Sequence, residues 1–139
     1  MEAARGDAGL SGQTEVVRRF LDAFAAGDDE TQIALMHADV ELVEWPEAPD
    51  SHHVQGANEA IQIRNSWFEA WESLRFAVDE YLEAGDCVVA CGKAHALGKG
   101  STVPVDFENY TVFTLRGGKV ARLEFFIERE QALTAAGIA

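Results

Sequence analysis

Two runs of alternating residues on either side of Gly117-Gly118 constrain the fold more than any other feature of the chain. A Gly-Gly pair between such runs favours the primed turn of a β-hairpin, because primed turns need positive φ angles. Counting outward from the turn pairs Leu115 with Val120 and Tyr110 with Phe125, and cross-strand partners share a face of the sheet. The pattern predicts an inward, mostly apolar face that carries Glu108, Tyr110, Val112, Thr114, Ala121, Leu123, Phe125 and Ile127.

The opposite face of this hairpin is mixed in character. Phe113, Leu115, Val120 and Phe126 stand on it among polar residues. This is more apolar surface than a solvated sheet usually shows. We therefore expect a homodimer that forms through the outer face of the sheet.

Helical periodicity dominates the first half of the chain, and strand patterns dominate the second. We expect helices at residues 14–26, with Thr14 as N-cap, at 28–36 and at 58–73. Strands are expected at residues 40–45, 76–83 and 86–97 and in the closing hairpin, with a loop at 46–55. This order predicts an α+β fold with helices packed on one face of an antiparallel sheet. Residues 14–139 would form one domain after a disordered lead-in at residues 1–13.

The balance of charge excludes several classes of partner. A net charge of -13 over 139 residues disfavours binding to nucleic acid and to anionic membranes. No apolar run has the length of a membrane span, and the N-terminus lacks the apolar core of a signal peptide, so cytoplasmic residence is expected. Cys87 and Cys91 would lie roughly 13 Å apart on one strand, which is too far for a disulfide.

Two strand positions offer polar groups whose placement the pattern leaves open. Tyr110 and Glu108 share the apolar face of the hairpin, so Tyr110 would either contact a ligand or be a core tyrosine with a satisfied hydroxyl. Lys93 and His95 alternate with small residues on their strand, and His95 could face either way.

The third helix and the loop before it carry further candidates. Arg64 stands beside the apolar stripe of this helix, where it would either anchor an anion or keep its charged head in water. Trp67 and Trp71 recur at helical spacing and would be core residues or the wall of a pocket. His52 and His53 are adjacent, and adjacent side chains rarely chelate one ion, so no metal site is expected.

Several segments together resemble the SnoaL-like branch of the nuclear transport factor 2 superfamily. They are AFAAGD, LMHADVELVEWPEAPD, GANEAI, GKGS and TLRGGKVARLEFFIEREQALTAAG, within residues 14–138. The resemblance implies a cone-shaped α+β barrel, in which a strongly curved sheet and three N-terminal helices enclose a pocket. It also implies a homodimer through the outer sheet face. Relatives of this kind include ketosteroid isomerases, polyketide cyclases, dehydratases, epoxide hydrolases and binding proteins.

The catalytic groups implied by the resemblance do not fall on suitable residues. The isomerase pattern places a tyrosine at Phe20 and a carboxylate base at Trp45. The cyclase and epoxide hydrolase patterns place an acid at Phe125. The epoxide hydrolase also needs an Arg-x-Asp alternation, which Lys93-Ala94-His95 does not supply.

Two functional hypotheses follow. The first is a binder of a small apolar or aromatic molecule, without a cofactor, whose pocket is lined by Phe20, Trp45, Arg64, Trp67, Trp71, Tyr110, Leu123 and Phe125. The second is an isomerase, cyclase or dehydratase whose acid and base have moved to other positions, with Tyr110, His95, His53 and Glu108 as candidates.

Overall fold

A computed structural model describes residues 11–48 and 51–138 of the chain. Its helices are α1 (Gly12–Ala26), α2 (Asp29–Ala34), α3 (Ala57–Ala70) and α4 (Arg129–Ala135). Its strands are β1 (Met36–Val43), β2 (His53–Gln55), β3 (Trp71–Ala84), β4 (Cys87–Gly98), β5 (Pro104–Arg116) and β6 (Lys119–Phe126). The α+β class is confirmed. Most of the expected lead-in, residues 1–10, lies outside the described residues.

The strands form one mixed sheet in the order β2-β1-β6-β5-β4-β3. The expectation of a purely antiparallel sheet was wrong, because β1 runs parallel to β6 while the other neighbours are antiparallel. A parallel pair needs a long crossover connection, and here α3 and four strands separate the two partners along the chain. The sheet does not close into a barrel.

Helix α1 begins one turn earlier than its apolar pattern suggested. Ser11, rather than Thr14, is the N-cap, and its hydroxyl accepts a hydrogen bond from the Thr14 amide at 3.2 Å. Gly27 ends the helix at a φ of 69°, in the left-handed region that glycine adopts without steric cost. The face between these caps buries Val17, Phe20, Ala23 and Phe24.

Three other segments differ from their expected ranges. β1 begins at Met36 and ends at Val43, ahead of the expected Trp45. The expected loop contains the short strand β2, which pairs with β1, and residues 49 and 50 of that loop are outside the described residues. Helix α3 stops at Ala70 because Trp71 adopts an extended conformation and pairs with Gly98.

The closing hairpin contains an irregularity that the sequence count missed. Leu115 pairs with Val120 as expected, but Thr114 pairs with Arg122, so Ala121 is the extra residue of a β-bulge. Every later pair is shifted by one residue, and Thr111, not Tyr110, lies opposite Phe125. A one-residue shift moves side chains to the other face of a strand.

The inward face of β5 is therefore the reverse of the predicted one. Phe113 and Leu115 are buried in the main core with α1 and α3, together with Val120, Leu123 and Phe125 of β6. Tyr110 and Val112 lie on the opposite face, where they pack with Val89 and Cys91 under helix α4. The inward placement was correct for Leu123 and Phe125 and wrong for Tyr110 and Val112, and the outward placement of Val120 was wrong.

This reversal removes the apolar surface from which a dimer was inferred. Phe113 and Val120 are 0% exposed and Leu115 is 4% exposed, so they belong to the core. Phe126 alone of the four stays on the outer face, partly buried. The homodimer stays a prediction. Cys87 and Cys91 are free thiols, and none of the helices within residues 11–48 and 51–138 is long and apolar enough to span a bilayer.

Candidate functional site

A small cavity lies between helices α1 and α3 and the inner face of the sheet. Its volume is about 40 Å³. Helix α1 contributes Phe20, Leu21 and Phe24, and helix α3 contributes Ala60, Ile61, Arg64 and Trp67. The sheet side is lined by Leu42, Phe76, Thr111, Phe113, Leu123 and Phe125, and Gln32 and Met36 complete the wall. The lining is thus mainly apolar and rich in aromatic rings.

The aromatic rings of this site form one contact network. Trp67 meets Phe125 edge to face, with 5.2 Å between ring centroids. Trp45 stands behind both of them, 4.9 Å from Phe125 and 5.2 Å from Trp67. Phe24 contacts Phe76 at 5.4 Å. Tilted and edge-to-face contacts at these separations are the favourable ones for aromatic side chains.

A second depression of about 210 Å³ lies on the surface next to the cavity. Leu21, Phe24 and Phe76 line both spaces, so these three side chains are the wall between them. The cavity alone would hold a few water molecules, whereas an engineered cavity that binds benzene measures about 150 Å³. An aromatic ligand would need this wall to move.

Arg64 is the most polar group of the lining, and it is 7% exposed. Its guanidinium donates to Gln32 Oε1 at 2.6 Å and to Asn65 Oδ1 at 2.8 Å. It also forms an ion pair with Asp29 at 2.6 Å, and the Phe68 ring lies 5.8 Å from its central carbon. The buried Nε–H of Arg64 has no hydrogen-bond partner among the described residues.

Thr111 occupies the place opposite Phe125 that was expected for Tyr110. Its hydroxyl accepts a hydrogen bond from Asn109 Nδ2 at 3.2 Å, and Asn109 Oδ1 accepts from the Trp45 indole at 2.9 Å. Asn109 and Thr111 are buried at 5% and 4% exposure. This chain of bonds fixes the Trp45 ring against the aromatic network.

Sequence reasoning missed Glu44, which is buried at 6% exposure. Its carboxylate accepts hydrogen bonds from the Trp67 indole at 2.5 Å, from His52 Nδ1 at 2.6 Å and from the His52 amide at 3.0 Å. On a strand that continued past Val43, Glu44 would point away from Trp45, but β1 ends at Val43 and the alternation ends with it. The only signal in the sequence was a carboxylate between an apolar run and Trp45-Pro46.

The predicted ligand-binding residues are divided among three places. Phe20, Arg64, Trp67, Leu123 and Phe125 line the cavity. Trp45 packs behind that lining, and Trp71 lies at the start of β3 beside Gly98. Tyr110 lies on the opposite face of the sheet.

The four candidates for acid or base are not brought together in the cavity. The Tyr110 hydroxyl donates to Glu108 at 2.9 Å, and burial together with this carboxylate raises the pKa of Tyr110. His95 pairs with Asp106 at 2.9 Å, on the same outer face of the sheet. His53 pairs with Glu41 at 3.1 Å, which lowers the pKa of Glu41.

Arg64 is the one ionisable side chain among the described residues that line the cavity. Residues 11–48 and 51–138 contain no group of three or more His, Cys, Asp or Glu that could hold a metal ion. The site therefore combines an aromatic wall, two hydrogen-bonding side chains and one buried cation.

Solved structures share this architecture. An NTF2-like protein of unknown function from Burkholderia pseudomallei K96243 matches with a TM-score of 0.76 at 19% identity, over 90% of this chain and 97% of that one. TerC, co-crystallised with polyporic acid, matches with a TM-score of 0.74 at 22% identity, over 91% and 99% of the two chains.

A third structure is a hypothetical protein with a ketosteroid isomerase-like fold from Catenulispora acidiphila DSM 44928, in complex with trimethylamine. It matches with a TM-score of 0.72 at 17% identity, over 90% of this chain and 94% of that one. No curated protein matches the chain. At these identities the likeness establishes the fold alone.

The sequence model of the SnoaL-like domain matches residues 17–123. These residues include most of α1, all of α2 and α3 and most of the sheet, and with them nearly all of the cavity lining. The chain therefore belongs to the SnoaL-like domain family, with the fold of NTF2-like proteins.

Proposed function

We propose that the protein binds a small, largely apolar aromatic molecule in the cavity between α1, α3 and the inner sheet face. The observation that carries this proposal is the lining, in which aromatic and aliphatic side chains surround a few convergent polar groups. Small-molecule sites in proteins have this composition, because apolar contact supplies affinity and a few polar groups supply orientation.

Entry of such a ligand requires the cavity to join the neighbouring depression. Leu21, Phe24 and Phe76 separate the two spaces, of about 40 Å³ and 210 Å³. Rotation of these side chains would open a path between α1 and β3 without breaking a backbone hydrogen bond. The open conformation would then be a minor state that the ligand makes dominant.

Structures with the same fold support a pocket for small molecules. One is TerC, which was co-crystallised with polyporic acid, and another is the Catenulispora protein, which was solved in complex with trimethylamine. For this chain, the aromatic wall favours a flat apolar ring.

Binding is favoured over acid-base catalysis because of the chemistry of the lining. A proton-transfer step needs a titratable group within hydrogen-bond reach of the reacting atom. Tyr110, Glu108, His95 and His53 lie away from this lining, and the guanidinium of Arg64 offers hydrogen-bond donors but no acceptor.

The experiment is a titration with ethylbenzene and indole, followed by calorimetry and by thermal unfolding of the full chain. Binding should raise the melting temperature by mass action. Ala60→Val adds two carbons at a buried position of the cavity wall and should weaken binding by about tenfold, since one buried CH₂ corresponds to roughly 0.8 kcal/mol.

Ala70→Val is the matched control, because Ala70 belongs to the same helix and is exposed. It should bind like the wild type. Absence of binding at millimolar ligand, or equal weakening by both substitutions, would contradict the proposal.

A further inference from the structure

We propose that Arg64 makes the cavity selective for aromatic molecules that carry one uncharged acceptor oxygen, such as an aryl ketone, over hydrocarbons and carboxylates of the same shape. This inference rests on the proposed function and specifies the chemical class of its ligand. It is based on the buried guanidinium of Arg64, which has one nitrogen without a hydrogen-bond partner among the described residues and a charge already paired with Asp29.

Contacts within the protein use some of the hydrogen-bond donors of Arg64 but not all of them. A guanidinium has five N–H groups in a fixed plane. One terminal nitrogen donates to Gln32, and the other donates to Asn65 and pairs with Asp29. Nε is completely buried and has no partner among the described residues. These contacts use three of the five N–H groups, which leaves the second N–H of the nitrogen bound to Gln32 and the Nε–H. Nε is the one guanidinium nitrogen without any partner among the described residues, and it is the donor left for a group that enters the cavity.

The unpaired Nε–H of Arg64 would gain a hydrogen bond from a ligand that carries an acceptor. A buried donor without an acceptor loses the hydrogen bonds that water would have given it. Arg64 lines the cavity together with Trp67 and Phe125, so a ring held between these aromatic side chains can place an oxygen next to the guanidinium. A ligand with an acceptor restores the missing bond, and a hydrocarbon of the same size does not.

The charge of the guanidinium favours a neutral ligand over an anionic one. Asp29 already pairs with Arg64 at 2.6 Å, so the positive charge of the guanidinium is compensated before any ligand arrives. A ligand carboxylate would add an uncompensated anion inside an aromatic wall, which is costly. It would also lack the bidentate geometry that makes arginine-carboxylate pairs strong, because such a pair needs the terminal nitrogen whose two N–H groups are already directed at Asn65 and Asp29. A neutral carbonyl oxygen avoids both penalties.

The experiment compares three probes of similar shape, ethylbenzene, acetophenone and benzoate, by calorimetric titration of the full chain. We expect acetophenone to bind about tenfold more tightly than ethylbenzene, which is the effect of satisfying one buried donor. Benzoate should bind more weakly than acetophenone by at least about tenfold.

Two variants assign the selectivity to Arg64 and its partner. Arg64→Met should bring acetophenone to within about twofold of ethylbenzene, while ethylbenzene binding persists. Asp29→Asn should strengthen benzoate binding by about tenfold, because the guanidinium charge is no longer compensated. Arg116→Met is the control, since Arg116 is exposed and pairs with Asp39 at the surface.

The outcomes separate this inference from the proposed function. If ethylbenzene binds and acetophenone binds no better, or if benzoate is the tightest ligand of the wild type, the inference is overturned and the cavity is still a binding site. If none of the three binds, the proposed function falls and the inference falls with it. Should Arg64→Met fail to fold, the Asp29→Asn result decides, and unchanged benzoate affinity in that variant overturns the inference.

Discussion

Glu44 is a buried carboxylate that ties the loop before β2 to helix α3. One oxygen accepts two hydrogen bonds from His52, and the other accepts the indole N–H of Trp67. Trp67 in turn lines the cavity. Glu44 therefore acts on the candidate site through the tryptophan that it positions, without lining the cavity itself.

Glutamine has nearly the same size and shape as glutamate, so Glu44→Gln tests this role without changing the packing. The glutamine side chain has one acceptor oxygen, so its NH₂ group must face either the Trp67 indole or the His52 donors. We expect Glu44→Gln to lower the free energy of unfolding by about 1–3 kcal/mol, the cost of a buried donor left without an acceptor. Urea denaturation measures this free energy of unfolding. Glu47→Gln is the control, because Glu47 is exposed. Equal midpoints for the two variants would refute the assignment.

Gly92 marks a close approach of two backbones at the bulge between β3 and β4. A side chain at this position would overlap the carbonyl oxygen of Ala77. The pairing of the strands shifts here, between Val78 and Glu80. Glycine inside a strand often identifies such a site.

We expect Gly92→Ala to destabilise the protein by about 3 kcal/mol, because backbone atoms of β3 must move to admit the methyl group. Gly98→Ala serves as control, since its new carbon would lie 3.8 Å from Ser101 Cβ, in ordinary contact. That control should change the free energy of unfolding by less than about 0.5 kcal/mol. Thermal unfolding measures the melting temperatures of both variants. Equal melting temperatures would contradict the prediction that Gly92→Ala is the less stable of the two.

At the scale of elements, the start of α1 is attached to β3 through Glu83. The hydroxyls of Ser11 and Thr14 both donate to its carboxylate. Burial raises the pKa of Glu83, but these hydrogen bonds outweigh it, and the net pKa is lowered from the ordinary value of 4.5. The interaction thus favours the charged carboxylate in the folded state.

The lowered pKa has a defined consequence for stability. A group whose pKa is depressed by folding stabilises the protein above its unfolded pKa, and this contribution disappears as the pH falls through the folded pKa. Wild type should exceed Glu83→Gln in stability by no more than about 1 kcal/mol at pH 7, because Glu83 is exposed. The difference should shrink as the pH falls below the ordinary carboxyl pKa of 4.5 towards the lowered pKa of the folded state. Unfolding curves across this pH range test it, and a difference that grows on acidification would be the opposite result.

At the scale of the whole molecule, the sheet separates two environments. The inner face carries the aromatic core and the cavity, and the outer face carries helix α4 over Val89, Cys91 and Tyr110. Beyond α4, ion pairs cover the outer face, such as Lys93 with Glu108 and His95 with Asp106. Burial under α4 raises the pKa of the Cys91 thiol, which makes this cysteine a poor nucleophile.

The homodimer is the prediction that belongs to this scale. An association through the outer face would bring mixed charges of two copies together, because a two-fold interface joins the same patch to itself. We therefore expect a dimer that weakens as salt is added, since screening reduces contacts between exposed charges. Light scattering at 0.05 M and 0.5 M salt measures the mass. A monomer at micromolar concentration under both conditions would rule the dimer out.

The parts of the fold that local periodicity encodes were predictable. Helix α1 ends at Gly27, the hairpin turns at Gly117-Gly118, and the α+β order holds, because each depends on residues within one or two turns of each other. Phe20, Arg64, Trp67, Leu123 and Phe125 line one cavity, and their contact with a ligand stays a prediction. Their positions follow from helical stripes and from the family resemblance.

What the sequence could not determine depends on contacts between distant segments. The residue at the bulge, Ala121, is not a glycine, so the sequence does not indicate the bulge. The bulge nevertheless reverses the faces of β5 and places Thr111 instead of Tyr110 opposite Phe125. The parallel pairing of β1 with β6 and the burial of Glu44 also arise only when separate segments meet. The sequence by itself thus determined the elements and the apolar character of the site. The tertiary structure alone decided which polar groups reach it, because a single inserted residue changes the face of a strand while leaving its local pattern unaltered.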